Sequence, residues 1–239
     1  MNNKLRCVSL CYLMLPLIIF FIGFIRLQYA LPLTAISLYS LYRVQRTEGS
    51  FCLRLDKKQL AIILVLSVMA SWLAGIGGFF SQTGDFFVKN PLLRDLCNHS
   101  WPLYIDLSKE PQEIQDIIGS DKVAFVYYLF FYLPAAACGK IGGEFVARVV
   151  FLLWSALGIF LVLVNTIEYV LRNRETSLRN VILSLVVIFC FGGLDIIGYL
   201  RKVDFTSAYA VLFQYPIISP VEGWCLPYFR LWGGVIFMT

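Results

Sequence analysis

The sequence predicts an all-α fold, a polytopic transmembrane bundle of about six or seven helices, the number of membrane-length apolar stretches, with short amphipathic helices in one outer loop. Three observations carry this reading. Hydrophobic residues make up 59% of the chain and charged residues 15%, against about 25% charged in a typical soluble domain. Several apolar stretches approach the roughly 20 residues a helix needs to cross a hydrocarbon core. Those stretches, residues 13–25 and 62–80 among them, are nearly continuous, whereas membrane-barrel strands alternate apolar and polar over about ten residues. Hydrocarbon offers the backbone no water, so a continuous apolar span closes its own N–H to C=O bonds as a helix.

The first span is expected at residues 7–25. Lys4 and Arg6 precede it in the manner of a signal peptide. The apolar run is long for such a peptide, and Arg26-Leu27-Gln28 lacks a small-residue cleavage pattern, so a retained helix is expected. Residues 27–42, bounded by Arg26 and Arg43, read as the return arm of a hairpin. Segment 43–58 carries Arg43, Arg46, Arg54, Lys57 and Lys58, and the positive-inside rule assigns it to the cytoplasm together with Lys4 and Arg6. Residues 59–80 then cross outward and deliver 81–122 to the outer face. This segment holds four basic and seven acidic residues.

Further spans are expected at 123–138, 145–164 and 181–199, with a weak one at 207–218. Here the signals conflict. If 123–138 returns inward and 145–164 goes out again, Arg172, Arg174 and Arg179 fall outside, against the charge rule. Either Gly139-Lys140-Ile141-Gly142-Gly143 is a dip or short turn that makes one neighbour partial, or the early hairpin dominates orientation; both stay open, and so does the side of Asp195. No heptad, low-complexity tract or soluble domain interrupts residues 1–239, which read as a single integral membrane domain. The chain stops in apolar sequence, Gly233 to Thr239, and truncation of a longer protein is expected.

Two surface helices are expected in the outer segment. Asn90-Pro91 is a start signature, with Asn able to cap free N–H groups and proline having none to leave unpaired. Ser100-Trp101-Pro102 ends that helix. A second starts at Glu110-Pro111, with Ile114, Ile117 and Ile118 on one face and Gly119 as cap; both would lie on the bilayer surface.

Chemistry is expected in this wet segment. Asp85, just beyond the third span, could accept a proton from a hydroxyl nucleophile or hold a divalent cation; its plain reading is an ion pair with Lys89, four residues on. Lys89 and Arg94 could neutralise a phosphate, or pair with Asp85, Asp95 or lipid headgroups. His99 could shuttle a proton or be polar surface, and Asn98-His99-Ser100 matches the N-glycosylation pattern. Tyr127, Tyr128, Phe130, Phe131 and Tyr132 read as an interfacial belt or a sugar platform. Asp195 is a candidate second acid. The seven cysteines form no CxxC pair, and a single histidine cannot build the usual zinc sites. No metal ligand set is assigned, though a carboxylate-bound Mg²⁺ or Mn²⁺ is compatible with the sequence.

Gly84-Asp85, Ser100-Trp101-Pro102-Leu103, Val126-Tyr127-Tyr128, Tyr132-Leu133-Pro134-Ala135-Ala136 and Gly139-Lys140 together resemble a group of uncharacterised bacterial polytopic membrane proteins. Those in turn resemble the GT-C class of glycosyltransferases. The resemblance covers residues 75–198. It implies an inverting transferase of the bacterial cytoplasmic membrane that moves a sugar from a polyprenyl-phosphate donor to a cell-envelope acceptor, with Asp85 as the general base or metal-orienting acid. Lys89, Arg94, His99 and Trp101 are then candidate substrate- or phosphate-binding residues, Lys89 and Arg94 being matched by chemistry alone. The partners implied are the bilayer and a polyprenyl-phosphate-linked sugar, and no nucleic acid. The chain departs from the class in its early hairpin and in being about half the expected length, so the later spans that complete such sites are missing. The alternative readings are a transporter or flippase component, which would place polar residues such as Ser67, Ser71, Ser155 and Ser184 around a midplane cavity, and a noncatalytic membrane protein.

Overall fold

The computed structural model describes residues 3–46, 55–80, 82, 86–106, 122–124, 128–171 and 176–190. Its elements in order are α1 (Asn3–Phe24), α2 (Leu27–Arg46), α3 (Lys57–Leu73), a 3₁₀ turn (Ile76–Gly78), α4 (Phe86–Asn98), β1 (Tyr104–Asp106), β2 (Lys122–Ala124), α5 (Leu133–Val170) and α6 (Leu178–Cys190). The fold is helical apart from one short antiparallel ladder in which Tyr104 faces Ala124 and Asp106 faces Lys122. Among the described residues, two helical stretches, Leu5–Phe24 and Leu133–Val170, are long and apolar enough to cross a membrane; Leu178–Ile188 is a shorter apolar one.

The early hairpin forms where the sequence places it. The Arg26 carbonyl accepts the N–H groups of Tyr29 and Ala30 at 2.9 and 3.0 Å, so α2 starts immediately after α1 stops. Two boundaries nearby differ from expectation. Helix α3 ends at Leu73 rather than running to residue 80, because Gly75, Gly77 and Gly78 turn into the left-handed region with φ of 73°, 78° and 76°, a conformation glycine adopts without a Cβ penalty. Helix α4 starts at Phe86, so Asn90-Pro91 lies inside it rather than at its start; Pro91 there forgoes the bond its N–H would make to the Phe87 carbonyl, and its ring crowds that carbonyl. It does end at Asn98, ahead of Ser100-Trp101-Pro102.

The largest correction concerns residues 123–138, which do not form a span. Residues 122–124 pair with β1, 130–132 turn, and helix begins only at Leu133. Proline is well tolerated in a first helical turn, which suits Pro134 to that start, while the β-branched and aromatic run before it suits extended chain. From Leu133 helix runs to Val170 in two pieces that meet at a kink at Gly143, whose backbone (φ 84°, ψ 176°) is not helical. The expected span 145–164 therefore lies within the second piece, and the glycine-rich stretch 139–143 holds the turn before it, which leaves the piece from Leu133 short. The expected second surface helix at 110–119, the end of 181–199 and the segment 207–218 lie outside the described residues, as do Asp85 and Asp195.

The chain divides into two compact units, one of residues 1–10, 45–83 and 152–219, the other of 11–44, 84–151 and 220–239. In the first unit Leu55 and Ile63 pack with Leu163, Val164, Ile167 and Leu171 of α5 and its end and with Val181 and Leu185 of α6. Side chains cross-link the element ends. Leu55 N–H donates to Glu168 Oε1 at 3.3 Å, Gln59 Nε2 donates to the Thr176 carbonyl at 2.8 Å, and Asn165 Nδ2 donates to Ser9 Oγ at 3.1 Å. Gln45 Nε2 likewise donates to Cys7 Sγ at 2.9 Å. The second unit buries Leu92, Leu93, Leu96 and Cys97 of α4 with Leu103, Leu129, Tyr132, Leu133, Ala135, Ala136, Ala147 and Phe151.

Candidate functional site

The second unit holds the sequence-nominated side chains that the structure describes. Helix α4 carries Lys89 and Arg94. Five residues separate them, about 140° around a helix turning about 100° per residue, so they lie on different faces. Lys89 Nζ sits 5.0 Å from the centre of the Phe86 ring. Arg94 Nε lies 3.7 Å from Asp95 Oδ1, an ion pair with Asp95 buried and Arg94 part-exposed. The two cations are thus not a single clamp.

His99 and Trp101 both fold back on the end of α4. The Asp95 carbonyl accepts the His99 backbone N–H at 3.0 Å and lies 3.2 Å from its Nδ1, so His99 prolongs the end of α4. Trp101 folds back and donates its Nε1–H to the Leu96 carbonyl at 2.8 Å. Two carbonyls of the last turn of α4, Asp95 and Leu96, thereby meet donors from beyond the helix. Lys140 joins them. Its Nζ donates to the His99 carbonyl and stands 4.9 Å from the centre of the Trp101 ring. An ammonium over an indole face is attracted by the negative ring face.

Under Trp101 runs a ladder of rings. Trp101 stacks on Phe24 at 5.5 Å, Phe24 on Phe20 at 5.0 Å, and Phe20 on Phe130 at 4.5 Å. Gly23 makes room for it, since a Cβ there would fall 2.5 Å from Trp101 Cε3. Gly139 plays the same part for α4, where a Cβ would fall 2.5 Å from Cys97 Sγ and 2.6 Å from Ala147 Cβ. The Cys97 thiol is pushed up to about 11, chiefly by burial and then by the negative Glu144, with Lys140 pulling the other way. It is a packed side chain rather than a nucleophile.

Compared with known proteins, the chain matches no family model, no curated protein and no solved structure. The geometry therefore stands alone. Among the described residues, no three His, Cys, Asp or Glu side chains gather as metal ligands. Sequence reasoning gave Lys140 a place in the Gly139-Lys140 motif and in topology, but no role beside Trp101. The signal was its position as a lone cation between Cys138 and Ile141.

Proposed function

We propose that this chain is a multi-pass helical protein of a bacterial cytoplasmic membrane that transfers a sugar from a polyprenyl-phosphate donor to a cell-envelope acceptor. The membrane part is carried by the first unit's distribution of side chains. Helix α3 turns Gln59, Ser67 and Ser71 inward and Leu64, Val65, Met69 and Leu73 outward. Helix α5 buries Ser155 and Glu168 and exposes Leu153 and Val162; α6 buries Ser184 and exposes Ile182, Leu183, Val186 and Val187. In water that would set many large apolar side chains in solvent. In a bilayer, lipid tails solvate the leucines, and small polar side chains serve helix contacts.

The topology that fits has α1 outward, α2 inward, α3 outward, α5 inward and α6 outward. The bonds from Leu55 to Glu168 and from Gln59 to Thr176 support it by tying the end of α5 to the start of α3. Arg172, Arg174 and Arg179 then share the cytoplasmic side with Lys57 and Lys58, as the charge rule asks. The conflict in the sequence arose from counting 123–138 as a span.

The transfer part rests on the resemblance around Gly84-Asp85, Trp101 and Gly139-Lys140. In this reading Asp85 takes the proton of the acceptor hydroxyl. The oxygen attacks the anomeric carbon opposite the phosphate, and the carbon–oxygen bond to phosphate breaks with its electron pair going to the phosphate oxygen, inverting the carbon. Because Lys89 and Arg94 lie on different faces of α4, one of them rather than both neutralises that phosphate.

Transfer from a labelled polyprenyl-phosphate sugar, followed in membranes holding the full chain, tests this. Asp85→Asn is expected to lose at least about a hundredfold in rate, the lower end of general-base effects. Equal rates would remove Asp85 from the mechanism, and no transfer by the wild type would remove the transferase reading. One observation favours a transporter instead: Ser67, Ser71, Ser155 and Ser184 are all buried. A cysteine at position 71 that reacts with membrane-impermeant thiol reagents would support that rival.

A further inference from the structure

The first unit gathers basic side chains that are far apart in sequence. Arg6 of α1, Arg46 of α2, Lys57 and Lys58 of α3 and Arg179 of α6 are all exposed. The bonds from Gln45 to Cys7, Asn165 to Ser9, Leu55 to Glu168 and Gln59 to Thr176 draw together the element ends that carry them. Among the described residues of this unit the only carboxylates are Asp56 and Glu168, and Glu168 is 7% exposed. Five exposed cations therefore face one exposed carboxylate.

Apolar surface follows directly above the charges. Along α3, Lys57 and Lys58 are succeeded one to two turns later by exposed Leu64 and Val65; along α6, Arg179 is succeeded by exposed Ile182, Leu183 and Val186. A ligand fitting this surface has a negative head and a hydrocarbon tail. We propose that the gathered basic ends of α1, α2, α3 and α6 form a binding surface for anionic phospholipids, the phosphates meeting Arg6, Lys57, Lys58 and Arg179 and the acyl chains lying on the leucine- and valine-bearing faces. Each cation near a negative headgroup layer adds attraction that fades within a Debye length. The inference rests on the membrane reading above, and on neither Asp85 nor sugar transfer.

The test uses the full chain purified in neutral detergent, with thermal unfolding followed during titration with phosphatidylglycerol, phosphatidylcholine or inorganic phosphate. Phosphatidylglycerol is expected to raise the unfolding midpoint more than phosphatidylcholine does, inorganic phosphate to have no effect, and the difference between the lipids to vanish near about 1 M salt, where the Debye length is about 3 Å. Replacing Arg6, Lys57, Lys58 and Arg179 together by Gln is expected to raise the half-saturating phosphatidylglycerol concentration at least about tenfold. If that variant does not fold, Lys57→Gln with Lys58→Gln, and the salt arm on the wild type, carry the test. Equal stabilisation by both lipids, or an undiminished response in the variant, would overturn the headgroup site while leaving the membrane reading intact. A wild-type chain that stays soluble without detergent would overturn the membrane reading itself. Equal stabilisation by inorganic phosphate would replace the lipid with a free anion and overturn the proposal.

Discussion

The two units hold their helices by different chemistry. In the first, amide and carboxylate side chains reach across to backbone or hydroxyl groups, as Glu168 does to Leu55, Gln59 to Thr176 and Asn165 to Ser9. In the second, ring and shape contacts dominate, Trp101 on Phe24, Lys140 over Trp101 and Gly139 admitting Cys97, beside the hydrogen bond from Lys140 to the His99 carbonyl. Polar ties are directional and fail when one partner is lost, because the other stays buried and unpaired. Shape ties tolerate the loss of a polar atom but not the gain of a methyl group.

The comparison can be broken at Gly139. Gly139→Ala places a methyl group against Cys97 Sγ and Ala147 Cβ at 2.5 and 2.6 Å, and a loss of about 3 kcal/mol is expected, the upper end for overpacking. Chemical unfolding in detergent measures it. Adding Cys97→Ala should restore only part, since the Ala147 contact remains.

Next in size is the reactivity of Cys97. With its thiol pushed from 9.0 to about 11, its thiolate fraction below pH 9 should be about a hundredfold lower than that of an ordinary thiol, and alkylation slower by at least that factor. The folded state holds this proton more tightly than the unfolded chain does. Cys97 therefore contributes stability in full below pH 9, and that contribution is lost as pH rises towards about 11. Mass-spectrometric alkylation rates against exposed Cys138, followed as pH rises, check the sign.

In the first unit, Glu168→Ala leaves the Leu55 N–H without its carboxylate acceptor, and a loss of about 2 kcal/mol is expected. Glu168→Gln keeps a carbonyl oxygen and should recover most of it. An equal loss in both variants would mean that charge, not the hydrogen bond, is what matters there. The smallest effect belongs to Lys140→Met. It removes one bond to the His99 carbonyl and one exposed cation–ring contact, about 1 kcal/mol, read in the unfolding midpoint and in Trp101 fluorescence. A loss larger than that of Glu168→Ala would invert the contrast between the units.

Much of the helical outline was legible in the residues. Arg26 and Arg43 bracket the return arm, and α2 forms there; the Ser100-Trp101-Pro102 stop also falls where α4 ends. What misled was hydropathy taken without conformation. Residues 123–138 are apolar enough for a span, yet β-branched and aromatic residues precede Pro134, and the chain pairs as β2 before turning into α5. Glycines were equally deceptive: residues 75–78 read as span interior but stop α3 by turning left-handed. Of the nominated site residues, His99 and Trp101 both fold back on the end of α4, whereas Lys89 and Arg94 part, because helix periodicity forbids a shared face at five-residue spacing.

Composition and periodicity by themselves determined that this chain is helical, because hydrophobic matching and backbone hydrogen bonding act along short stretches and leave their mark in local sequence. Only the tertiary structure decided which helix ends meet. That Glu168 answers Leu55, that Lys140 stands over Trp101 and that Arg6, Lys57 and Arg179 belong to one unit depend on contacts between residues up to 156 positions apart, as Ser9 and Asn165 are. No local pattern encodes such contacts, since side chains distant in sequence are brought together only once the intervening helices have packed.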